Sequence, residues 1–130
     1  MRKAFTGASR NEGQEMDMNR IEFEHYIETA DQMISFARER RQGLEPGLLG
    51  TMIDAAKAIL RFVVNSAPND LSIRAANAIT CCGTKEEQAW ATIQAAVRGD
   101  AASREWISEE GGAMLTEYQA AQRAYDFSGE

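Results

Sequence analysis

The chain has a single histidine, His25, which excludes metal sites built on two imidazoles and mechanisms that need two histidines. Its only cysteines, Cys81 and Cys82, are adjacent. Neighbouring thiols pair with each other only through a strained ring, so no disulfide framework is expected. Just two prolines, Pro46 and Pro68, interrupt the chain, which leaves room for long helices. No apolar run approaches the roughly 18 residues of a membrane span. The basic start Met1-Arg2-Lys3 is not followed by the apolar stretch of a secretory signal. A cytoplasmic protein with no membrane association is the expectation. Cations are also in deficit, 14 Lys and Arg against 20 Asp and Glu, for a net charge of −6. Phosphate binding draws on clustered cations, so no direct nucleic-acid contact is expected.

What is present suits one folded domain. The 130 residues, 44% hydrophobic and 26% charged, suffice to bury a core without a disulfide or a structural metal. Residues 1–15 are small, polar and charged with no helical period, and read as a flexible arm before a single helical domain at 16–130. Phe23, Ile27, Ala30, Ile34 and Ala37 then step by four and three, flanked by Tyr26 and Met33. This pattern predicts a helix over 17–42 with Asp17 as N-cap and Gly43 just past its end. Glu22, Glu24, Glu28 and Asp31 occupy its first half and Arg38, Arg40 and Arg41 its close, which matches the helix dipole.

A short connector, 43–47, makes the next helix (48–65) an antiparallel neighbour of the first. Its apolar face is wide, from Leu49 and Met52 to Val63 and Val64, with Asp54, Lys57 and Arg61 on the side opposite. Such a face predicts the most buried helix of the bundle. A third helix over 71–82 is capped by Pro68-Asn69-Asp70 and stopped by Gly83. Thr84-Lys85-Glu86-Glu87 is a capping box that opens a fourth helix, which Gly99 ends. From Asp100 to Phe127 an apolar rhythm runs through Gly111-Gly112. The glycines either split two helices or sit in one that continues or kinks, and the unbroken period favours the latter. No segment alternates polar and apolar residues, so no sheet is expected. The fold class is all-α, an irregular bundle of about five helices.

Chemistry is sparse in this pattern. Glu22 and His25 form one Glu-x-x-His, the spacing by which di-iron bundles place two ligands on one helix face, but those sites need a second copy and further carboxylates. Cys82 continues an inward face and Cys81 lies at a helix end, so neither suggests a metal thiolate. No serine has the setting of a nucleophile and no glycine-rich loop could cradle phosphate. No catalytic residue, metal or cofactor is therefore assigned. The acidic face of Glu22, Glu24, Glu28 and Asp31 is the candidate partner-binding surface, since it would steer encounters with basic proteins. Trp106, one position off the Ile107 stripe, is a candidate aromatic contact, and Arg38, Arg40 and Arg41 are candidate basic ones. The resulting expectation is a non-catalytic interaction protein, a small acidic regulator or inhibitor of the sort phages and plasmids encode. It would occupy a basic or nucleic-acid-binding site on a larger protein. The alternatives are a homo-oligomeric module, such as a homodimer, that binds a small ligand between helices near Tyr118, Trp90 or Arg38–Arg41, and a structural or assembly subunit.

Overall fold

A computed structural model describes the backbone of residues 8–40, 43 and 45–128, with side chains described from residue 19 onward. It comprises six helices and, among the described residues, no strand: α1 (Ala8–Glu39), α2 (Pro46–Ser66), α3 (Asn69–Cys82), α4 (Lys85–Val97), α5 (Ala101–Glu110) and α6 (Gly112–Ser128). The all-α class agrees with the periodicity.

Several boundaries differ from the sequence reading. Helix α1 begins at Ala8, so residues 8–15 are helical and Asp17 lies inside the helix rather than at its cap. Pro46 sits in the first turn of α2, where its missing N–H costs nothing. Pro68 stands at the N-cap of α3 without any side-chain capping bond, so the cap expected from Asn69 and Asp70 is not made. The Thr84 box is formed as the sequence predicts. The Thr84 hydroxyl accepts from the Glu87 amide at 3.2 Å, and the Glu87 carboxylate accepts from the Thr84 amide at 2.8 Å. Asp100 caps α5 by accepting from the Ser103 amide at 3.1 Å.

The sixth helix arises at Gly111-Gly112. Gly111 has φ +62° and ψ −152°, and Gly112 has φ +56°. The Gly111 conformation is one that only glycine adopts readily, and it ends the hydrogen-bond ladder of α5. No atom would lie within 4 Å of a Cβ at either position. The glycines therefore separate α5 from α6, where the unbroken apolar period favoured one continuing or kinked helix.

Two apolar clusters hold the helices together. The larger takes Ile27, Ala30 and Ile34 from α1, Leu60, Val63 and Val64 from α2, Leu71, Ala75 and Ile79 from α3, and Ala91 and Ala95 from α4. The smaller joins Ile93, Ala96 and Val97 of α4 to Ile107 of α5, covered by Met114, Leu115, Tyr118 and Tyr125 of α6. Helix α4 therefore serves both clusters from adjacent positions. Ser72 is fully buried in the larger one, where its hydroxyl donates to the Val64 carbonyl at 2.6 Å. That bond satisfies both a buried hydroxyl and an orphan carbonyl near the end of α2.

Candidate interaction surfaces

At 100° per residue, α1 presents three sides. Ile27, Ala30, Ile34 and Ala37 face the core. Glu22, Tyr26, Thr29, Met33, Phe36 and Arg40 form one flank, beside α2. Arg20, Glu24, Glu28, Asp31 and Arg38 form the other, toward α3 and solvent. The expected acidic face is thus divided. Glu28 and Asp31 are exposed together, Glu24 is half-buried among the α3-side residues, and Glu22 is exposed on the opposite flank.

Arg20, the one cation that interrupts the acidic series, is engaged elsewhere. Its guanidinium reaches both oxygens of Asp70, at 3.1 Å for one of them, and stands 3.9 Å from Glu24. This hydrogen bonding holds the Asp70 carboxyl below its ordinary range and raises Arg20. Glu28 and Asp31 make no ion pair among the described residues.

The basic cluster is divided as well. The Arg38 guanidinium donates to the Cys81 carbonyl at 2.8 Å, which closes the C-terminal end of α3. Arg40 lies over the Phe36 ring, 5.2 Å from its centroid, on the other flank. Arg41 falls outside the described residues.

Trp106 is 54% exposed. It stands in an open cleft of about 840 Å³ bordered by Asn77, Lys85, Gln88, Thr92 and Glu110, with Met114 at one edge. Trp90 borders a second cleft, of about 430 Å³, with Glu86 and Glu117. The Arg61 guanidinium stacks 4.4 Å from the Trp90 ring centroid. Tyr118 packs against the smaller core cluster.

One surface was missed in the sequence reading. Of the polar side bearing Asp54, Lys57 and Arg61, Asp54 and Arg61 are exposed as expected, whereas Lys57 is drawn inward. Lys57 bonds Glu87 of α4 at 2.9 Å and Arg61 covers Trp90. The outward side also carries an uncharged stripe, Leu48, Thr51, Ala55, Ala58 and Phe62, all exposed. Helix α2 is not the most buried element by number, since α3 and α4 each contribute five buried residues against its four. Phe62 meets Phe23 and Tyr26 of α1, with ring centroids 6.1 and 6.0 Å apart. Tyr26, Ala58, Ile59 and Phe62 line an apolar recess of about 400 Å³. Tyr26, Phe36, Leu48 and Phe62 remain 40–52% exposed, so the outer face of the α1–α2 pair carries several large apolar side chains. The legible signal was the stripe from Leu48 to Phe62, which has no charge at any position.

The reactive residue types are scattered. His25 is exposed on α1. Burial pushes the Cys82 thiol upward, which keeps it protonated and weakly nucleophilic, while Cys81 is exposed. Among the described residues no three His, Cys, Asp or Glu side chains converge as a metal site. No described helix is long and apolar enough to cross a membrane. Comparison with known proteins gives no match, whether to family models, to curated proteins or to solved structures.

Proposed function

We propose that this is a cytoplasmic, non-catalytic protein–protein interaction protein, a small acidic regulator or inhibitor that occupies a basic or nucleic-acid-binding site on a larger protein. The observation that carries this reading is the state of charge along the α3-side flank of α1. Arg20 is tied to Asp70 and Glu24, so it does not neutralise Glu28 and Asp31, which project into solvent. On a chain of net charge −6, such a flank attracts a basic surface over about a Debye length, roughly 8 Å at physiological salt.

The framework for this flank is α1 packed on α2. The short 40–45 connector and the Phe23–Phe62 contact support reading that pair as an antiparallel hairpin. Pull-down from the native host at low salt tests the proposal. Wild-type protein should retain a basic partner, and Glu28→Gln with Asp31→Gln should lose it while keeping its fold. Retention unaffected by both changes would rule out this flank as the binding surface.

A further inference from the structure

The apolar face shared by α1 and α2 takes no part in the acidic flank, and its pattern singles out an occupant. Along the α1 flank the order is Glu22, then the uncharged Tyr26, Thr29, Met33 and Phe36, and then Arg40. Arg40 lies 18 positions after Glu22 and just past the end of α1, its amide still bonded to the Phe36 carbonyl at 3.0 Å, so at 100° per residue the two charges project from the same side at opposite ends of the stripe. Both are exposed. Between them lie Tyr26, Met33 and Phe36, and alongside run Ala55, Ala58 and Phe62 of α2 with no charge at all. A surface with an apolar centre and charged ends of opposite sign is self-complementary about a two-fold axis perpendicular to the helices.

We propose that this face binds a second copy of the chain, with α1 lying antiparallel to α1 of its partner, so that Glu22 of each protomer meets Arg40 of the other. The opposite charges of Glu22 and Arg40 at the two ends of the flank, both exposed, fit this antiparallel arrangement. The small side chains of Ala55 and Ala58 allow backbones to approach closely at the centre. Tyr26, Phe36, Leu48 and Phe62, now largely in water, supply the apolar area. Glu28 and Asp31 stay outward on both protomers, so the dimer would present the acidic flank twice.

Light scattering after size exclusion, run on the full chain over a series of concentrations, tests this directly. Wild-type protein should approach twice the 14.4 kDa protomer mass as concentration rises. Glu22→Arg and Arg40→Glu should each raise the dimer dissociation constant about tenfold, because each replaces two attractive pairs by two repulsive ones. The double exchange should return it to within about threefold of wild type, since the pairs are restored with their signs swapped. Ala58→Glu, at an exposed helical position, should give a monomer with unchanged helical circular dichroism. A wild-type protein that stays monomeric throughout, or a dimer indifferent to Ala58→Glu, would overturn the proposal. A double exchange whose effect is the sum of the single ones would overturn the antiparallel register. Because Glu28 and Asp31 are untouched, failure here leaves the acidic-flank reading standing, and the reverse also holds.

Discussion

Glu87 shows how several small interactions converge on one side chain. It accepts from the Thr84 amide and from Lys57, and both bonds favour its charged form. Its carboxyl accordingly lies below the ordinary value of 4.5, with the Thr84 amide the larger cause. Lys57 lies above its ordinary 10.5, chiefly through Glu87. A depressed acid stabilises the fold above its unfolded pKa, and that contribution is lost as pH falls through the folded one. A raised lysine stabilises below 10.5, and that contribution is lost as pH rises through its folded pKa. Stability from this pair should therefore form a plateau bounded on both sides. Lys57→Met should flatten the alkaline decline in urea midpoint yet leave most of the acid one, because the Thr84 bond persists. Thr84→Ala should cost about 1 kcal/mol at neutral pH. The neighbouring Gly83 has no slack, since an added Cβ would meet the Glu87 Cβ at 2.8 Å and the Ile79 carbonyl at 2.9 Å. Gly83→Ala should destabilise by about 1–3 kcal/mol, measured the same way. The thiols give a separate check. Timed labelling with a disulfide reagent should show Cys81 reacting fast and Cys82 slowly, given the burial that raises the latter.

Among the elements, the two kinds of glycine make opposite predictions. Gly47 and Gly50 lie within α2, have no positive φ, and have open space where a Cβ would go. Gly50→Ala should stabilise by roughly 0.5–1 kcal/mol through helix propensity alone. Gly111 separates α5 from α6 at φ +62° and ψ −152°, where an L side chain is strained by about 1–3 kcal/mol. Gly111→Ala should lower the thermal midpoint, despite alanine being the better helix former. A rise instead would mean that α5 and α6 run on as one helix. The division of α1 into three sides also belongs at this scale. From residue 20 to residue 40 one stretch supplies core, an apolar flank and an acidic flank, because its more than five turns let each side repeat.

At the scale of the whole molecule, the two clusters are unequal. The larger draws on four helices, whereas the smaller rests on four buried residues under α6. Helix α6 itself has no fully buried residue, and Phe127 near its end is 80% exposed. Regions with few buried contacts open at lower free energy than the global transition. Amide exchange followed by mass spectrometry should show residues 112–128 exchanging well before α2 and α3. Uniform protection across the chain would indicate that α4 couples both clusters into a single cooperative unit. Tyr125 tempers this difference by donating to Asn69 at 3.0 Å, a tie between α6 and the start of α3. Loss of that tie in Tyr125→Phe should speed exchange in α6 while leaving α2 unchanged.

Most of the helices could be read from local pattern, because a 3.6-residue apolar period, a Thr-x-x-Glu box and a glycine past a helix end all act within a few residues. The core face of α1, Ile27, Ala30, Ile34 and Ala37, followed from that periodicity, and the α4 cap from the Thr84–Glu87 box. Orientation about the axis of α2 did not. Its apolar residues cover more than half the circumference, and only packing decided that Lys57 and Arg61 would turn toward Glu87 and Trp90. The stripe from Leu48 to Phe62 was left outside as a result. The acidic residues were legible as a group, but Glu22 parts from Glu28 and Asp31 because α2 and α3 flank α1 on different sides. Composition and period by themselves determined an acidic all-helical chain. Which of its faces remain open to a partner was decided by tertiary structure, because burial is a property of the neighbours a side chain meets and not of the residue alone.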